Sequence, residues 1–211
     1  MRQNGMRKPR YGNSVFINCP FDAAYKAVFD AIVFAIADCG FHPQCALQHQ
    51  DSEVLRLDKI CHLVGECRFG IHDISRTELD TNGLPRFNMP LELGLFLGAR
   101  RYGAKHHRAK HCLILDKTRH RYQKFVSDIA GLDIKAHSNS PRRAVLAIRN
   151  WLRQRSGRHS TPGGEAIWKR YRTFQSQLPA MCKQAKLKPG ALHYIDYLYL
   201  ATAWLEENTE P

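Results

Sequence analysis

Two carboxylates near the middle of the chain have the residue types and spacing of a small-molecule pocket. The stretch CRFGIHDISRTELDTNGLPRFNMPLELGLFLGAR, residues 67–100, reads as a short buried strand ending at Asp73, a polar loop, and a helix with Glu92 in its first turn. A carboxylate at a strand's end can cap a loop or hold ribose hydroxyls, and one at a helix start can meet the helix dipole for about 0.3–1 kcal/mol. The apolar neighbours Leu91, Leu93 and Leu95 favour a pocket role for Glu92 over a solvated one, because acids confined in apolar surroundings mark functional sites. Gly94 and Gly98 each cost about 0.8–1 kcal/mol against alanine inside a helix. Close packing on a sheet or access for a ligand would offset that cost. The expectation is a pocket that holds a nucleoside or nucleotide.

A parallel sheet is needed to bring the two loops together. Short apolar runs at 13–18, 41–47, 67–74, 111–115 and 132–136 read as strands, alternating with helices at 21–39, 55–66, the Glu92 segment, 122–130 and a segment from Pro141. Cys19-Pro20 stops the first strand, since proline has no N–H for the ladder. The segment 21–39 is apolar on almost every side, so the C-terminal helices or a second subunit must cover it. Ser140 and Pro141 sign the start of the next helix as N-cap and first helical residue. The alternation predicts an α/β fold: a five-stranded, mostly parallel, flavodoxin-like sheet with helices on both faces, plus a C-terminal helical extension. The boundaries expected are a disordered basic tail at 1–12, a nucleotide-binding domain at 13–157, a linker at 158–164 and the extension at 165–211, with helices at 165–177, 179–185 and 191–207.

In strand order 2-1-3-4-5, ligands bind beyond the carboxyl ends of strands one and three, where neighbouring connections diverge. The loops there begin at Asn18-Cys19-Pro20-Phe21-Asp22 and Asp73-Ile74-Ser75-Arg76. Candidate ligand contacts are therefore Asn18, Cys19, Phe21, Asp22, Ser75 and Arg76, joined by Phe87 and Asn88 just ahead of Glu92. Asp22 is equally suited to cap the following helix. Arg68, Arg76 and Arg86 match a diphosphate, because guanidinium pairs with phosphate oxygens in bidentate fashion. Phe87 and Tyr25 have rings that could stack on a base or fill the core.

With 32 Lys and Arg against 19 Asp and Glu, the formal charge of +13 favours anionic partners. Nucleic acid, phosphate-bearing small molecules and acidic proteins all qualify, but the basic residues recur from Arg2 to Arg172 in separate groups, which reads as a basic surface all round rather than one nucleic-acid reading stripe. Seven cysteines without a C-x-x-C pair suggest reduced thiols and no metal site. The start lacks a signal-peptide core, and the longest apolar run, 31–37, is too short for a bilayer, so a cytoplasmic protein without a membrane partner is expected.

SVFINCPFD and RFNMPLELGLFLGA carry a family likeness. They resemble the first strand and loop, and the region around the catalytic glutamate, in the Toll/interleukin-1 receptor-like (TIR-like) domains of bacteria and in nucleoside 2-deoxyribosyltransferase-like proteins. The likeness spans roughly residues 13–155 in order of elements, with specific motifs only in the first loop and at 67–98. Leu91 stands where many such enzymes have an aromatic residue. The resemblance implies an N-glycosidic bond hydrolase or transferase acting on NAD or another nucleotide. Glu92 would be its catalytic residue and Asp73 a second acid or ribose ligand, and no cofactor would be required. It further implies homo-oligomers or a partner bound through the C-terminal helices, in an antiviral defence effector. The chemistry suits a carboxylate: cleavage builds oxocarbenium character on the ribose, which Glu92 would stabilise or trap. Nicotinamide leaves NAD neutral, so one carboxylate suffices, whereas a neutral base needs a second group to protonate it. The alternatives are a nucleotide-sensing module that signals through its C-terminal helices, a nucleoside 2-deoxyribosyltransferase, and, less favoured, a nucleic-acid binder.

Overall fold

The computed structural model describes residues 10–48, 53–79 and 83–208. Their strands β1 (Ser14–Asn18), β2 (His42–Gln44), β3 (Phe69–Asp73), β4 (His111–Asp116) and β5 (Lys135–Ala136) form one all-parallel sheet in the order β2-β1-β3-β4-β5. The helices are α1 (Lys26–Asp38), α2 (Arg56–Glu66), α3 (Asn88–Tyr102), α4 (Pro141–Ser156), α5 (Gly164–Gln184) and α6 (Tyr194–Asn208). This is the flavodoxin-like architecture with C-terminal helices that the alternating pattern predicts.

Every residue of β1 and β3 is buried, as parallel strands covered on both faces require. Side chains alternate between the two faces. Val15, Ile17, Phe69, Ile71, Leu113 and Leu115 pack with α1 and α4. Phe16 and Ile114 face the other way, toward α2 and α3. At the amino end of β4, Lys110 is fully buried and donates to the carbonyls of Val64 and Cys67, closing the end of α2. Burial lowers its ammonium to about 8.

The apolar girth of α1 is covered by the chain's own helices, one of the two covers expected. Phe34 stacks on Phe174 of α5, with ring centroids 5.3 Å apart, and tilts against Trp204 of α6. Such pairs add about 0.5–1.5 kcal/mol beyond their buried area. Arg170 grips Asp38 at 2.7 Å, and the hydroxyls of Tyr194 and Tyr197 donate to the carbonyls of Pro43 and Asp30. The C-terminal helices are thus docked on the sheet domain.

Several boundaries differ from the sequence reading. α5 runs unbroken through Pro179, where two helices were expected. Phe174, Leu178 and Cys182 lock both sides of the proline into the core, outweighing its cost of about 3 kcal/mol. The expected helix at 122–130 is instead two 3-10 turns, Arg121–Lys124 and Ser127–Ile129, from which Tyr122, Phe125 and Ile129 already close the cluster beside β4. β5 shrinks to two residues because the Leu132 and Ile134 N–H groups are spent on turns, to Ile129 and Leu132 carbonyls. β2 ends at Gln44 and passes into a 3-10 turn. Of the expected tail, residues 1–9 lie outside the described residues, while Tyr11 starts a turn and donates its hydroxyl to the His106 carbonyl. No helix among the described residues is long and apolar enough to cross a membrane.

Candidate active site

β1 and β3 are neighbours, and their following loops diverge to opposite faces, so the carboxyl ends of these two strands form the sheet's switch point. A cleft of about 360 Å³ opens there, lined by Asn18, Cys19, Pro20, Phe21, Asp22, Arg56, Arg86, Asn88, Met89 and Glu92. That volume lies within the range of small-molecule sites. A tighter apolar hollow of about 150 Å³ sits between α1 and α6 and is too small for a nucleotide.

Asn18 builds the wall. Its amide donates to the Met89 carbonyl at 2.8 Å and lies 3.1 Å from Nδ1 of His72, tying β1 to β3 and to the first turn of α3. Burial drives the His72 imidazole down to about 3, so the ring is neutral and Nδ1 accepts. α3 comes close to the sheet because Gly70 has no side chain: a Cβ there would lie 2.6 Å from His72 Nε2 and 2.8 Å from the Phe96 ring. The close packing expected at Gly94 and Gly98 therefore sits at Gly70. Space is open around both helical glycines.

Glu92 projects from the second turn of α3 rather than the first, which takes it away from the dipole's strongest point. It is 6% exposed, and its carboxylate lies 3.5 Å from the guanidinium of Arg56, at the start of α2. Burial pushes its carboxyl above the ordinary range while Arg56 pulls against it. Asp22 closes the turn ahead of α1, whose N-cap is Tyr25, and also pairs. Its Oδ1 accepts from the Tyr25 N–H at 3.0 Å and from Arg76 at 3.3 Å, and Arg86 stands 3.9 Å away. Cys19 lines the cleft, but burial, followed by the Asp73 charge, pushes its thiol far up and leaves no reactive thiolate.

Asp73 is not among the lining residues. It is fully buried on the other face of the sheet, the face of Phe69 and Ile71. The Tyr25 hydroxyl donates to Oδ2 at 2.5 Å and the Ser75 N–H to Oδ1 at 2.9 Å. His137 Nε2 lies 2.8 Å from Oδ2, off the axis of a straight hydrogen bond. The Asn139 N–H donates to His137 Nδ1, which assigns the ring proton to Nε2, facing Asp73. Burial would raise the Asp73 carboxyl, but His137, Ser75 and Tyr25 outweigh it and hold it below the usual range.

Of the other expected contacts, Ser75 is buried beneath the loop as a partner of Asp73. Arg76 lines the adjoining groove through its Asp22 pair. Phe87 is 56% exposed and stands outside the cleft. Arg68 donates to the Ala109 carbonyl at the opposite end of β3. Arg121 pins the loop after β3, reaching Asp116, the Ile74 carbonyl and Thr77. Arg56, His72 and His137 went unread in the sequence. Only His72 had a signal, as the neighbour of Asp73 on the alternate face. Comparisons with protein-family models, curated proteins and solved structures returned no match to this chain.

Proposed function

We propose that the cleft binds a nucleotide and that Glu92 assists cleavage of its N-glycosidic bond, with NAD as the first substrate to test. The observation that carries this reading is a buried carboxylate, raised by burial, lining a cleft at the switch point beside Asn18 and Arg56. In the proposed reaction the C1′–N bond breaks and its electron pair goes to the pyridinium nitrogen, releasing neutral nicotinamide. The cationic ribose is stabilised by the Glu92 carboxylate, water adds to C1′, and the water's proton leaves to Glu92 and then to solvent.

The placement of Asp73 favours NAD over nucleosides. A neutral base needs an acid to protonate it, and Asp73, the candidate for that task, is absent from the cleft lining. The other lining carboxylate, Asp22, is already engaged by Tyr25 and Arg76. Incubation with NAD, followed by chromatography for free nicotinamide, tests the reading. Release by the wild type that Glu92→Gln reduces by 10²-fold or more, the usual scale for loss of an electrostatic stabiliser, supports it. Undiminished release in the variant overturns the role of Glu92.

A further inference from the structure

The cleft's two arginines are held loosely, whereas its two carboxylates are held firmly. The Arg56 and Arg86 side chains are 57% and 59% exposed, while Glu92 and Asp22 are 8% and 29% exposed. The ion pairs themselves are long, at 3.5 and 3.9 Å. If Arg86 departs, Asp22 keeps Arg76 and the Tyr25 N–H. Glu92 has no such reserve: among the described residues, Arg56 is the cation paired with it. The position of Arg56 therefore decides whether the Glu92 charge is neutralised or faces the cleft.

We propose that Arg56 is an exchangeable counter-ion that makes the Glu92 charge depend on a phosphate in the ligand. In the arrangement described, its guanidinium pairs with Glu92. A nucleotide's phosphate is a stronger, bidentate partner for guanidinium than one carboxylate oxygen at 3.5 Å. An exposed side chain on a flexible stem can turn to it, while Glu92 stays fixed on α3. The phosphate takes Arg56, and the freed carboxylate faces the ribose of the same molecule. Arg86, also on the cleft, is free to join the same anion. A nucleoside brings no phosphate and leaves the pair closed. The substrate class is then a phosphate-bearing nucleotide, with Arg56 as the specificity-determining residue.

This inference rests on the nucleotide reading of the cleft, and the test separates the two. NAD and nicotinamide riboside share the scissile bond but differ by the ADP group that carries NAD's phosphates, so kcat/KM is measured for both with wild type, Arg56→Gln and Arg56→Lys. The wild type is expected to prefer NAD by roughly tenfold or more, and Arg56→Gln to abolish that preference. The loss should come through a raised KM for NAD rather than a lowered kcat, and Arg56→Lys should restore part of it. A merely structural arginine would lower both substrates equally, and an unchanged preference in Arg56→Gln overturns the inference. If the wild type cleaves neither substrate, the catalytic reading fails. The phosphate role is then read from calorimetric titration with ADP and adenosine: loss of the ADP preference in Arg56→Gln supports it, and a retained preference overturns it.

Discussion

Around Asp73, both carboxylate oxygens meet donors fixed by backbone or by buried rings: the Ser75 N–H, the Tyr25 hydroxyl and the His137 ring. Around Glu92, the partner is one half-exposed guanidinium at 3.5 Å. The consequences have opposite sign. Donors hold Asp73 below the ordinary carboxylate range, so its charge stabilises the fold, whereas burial lifts Glu92 above that range, so its charge costs the fold something. A charge that costs stability and lines a cleft is what a catalytic role explains, and a charge with all its donors in place is what a structural role explains.

The largest effect that would sharpen this contrast is on stability. Asp73→Ala leaves the Tyr25 hydroxyl without its buried acceptor and removes the carboxylate beside the His137 ring, and should cost about 3–5 kcal/mol in urea unfolding. An unchanged midpoint would break the contrast. Tyr25→Phe removes one hydrogen bond to that charge and should cost about 1.5–3 kcal/mol by the same measurement. Gly70→Ala drives a methyl against His72 and Phe96, for an overpacking cost of about 1–3 kcal/mol. It should also weaken ligand binding, because α3 carries Glu92.

Smaller effects separate the two carboxylates by pH. Asp73 is depressed in the fold, so its contribution is present above the unfolded value of about 3.9 and is lost as pH falls through its lower folded value. The melting temperature should fall across that window, and Asp73→Asn should flatten the slope. Glu92 is raised, so its protonated form is the one the fold prefers, and that preference fades as pH rises through its folded value. Glu92→Gln should therefore melt at or above the wild-type temperature near pH 7, and a clear drop would contradict the assignment. Phe87→Ala, outside the cleft, should change stability by no more than about 0.5 kcal/mol and leave ligand affinity as it is.

The sheet was legible because parallel buried strands have a local signature: SVFIN, FGIHD and HCLILD are short apolar runs that stop at polar loops. The cleft was legible as far as its loops were, which is why Asn18, Cys19, Phe21, Asp22, Asn88 and Glu92 gather as expected. Asp73 shows where that reasoning stopped. Being at the end of the right strand does not decide the face. Phe69, Ile71 and Asp73 share one side, toward α1 and α4, while Gly70 and His72 face α3. Period-two alternation would have separated Asp73 from Glu92 once α3 was placed on the other face. His137 follows a two-residue strand and has no local pattern that points back to Asp73. Arg56 is one basic residue among 32, and only its position at the start of α2 distinguishes it.

The most direct test compares the two carboxylates in a single assay. Nicotinamide release from NAD is measured for wild type, Glu92→Gln and Asp73→Asn, each scaled to its folded fraction. The expected result is a Glu92→Gln protein that is fully folded but slower by 10²-fold or more, beside an Asp73→Asn protein that is less stable yet retains most of its activity per folded molecule. The reverse pattern, with activity kept in Glu92→Gln and abolished in folded Asp73→Asn, would contradict the assignment of Glu92 as the catalytic carboxylate.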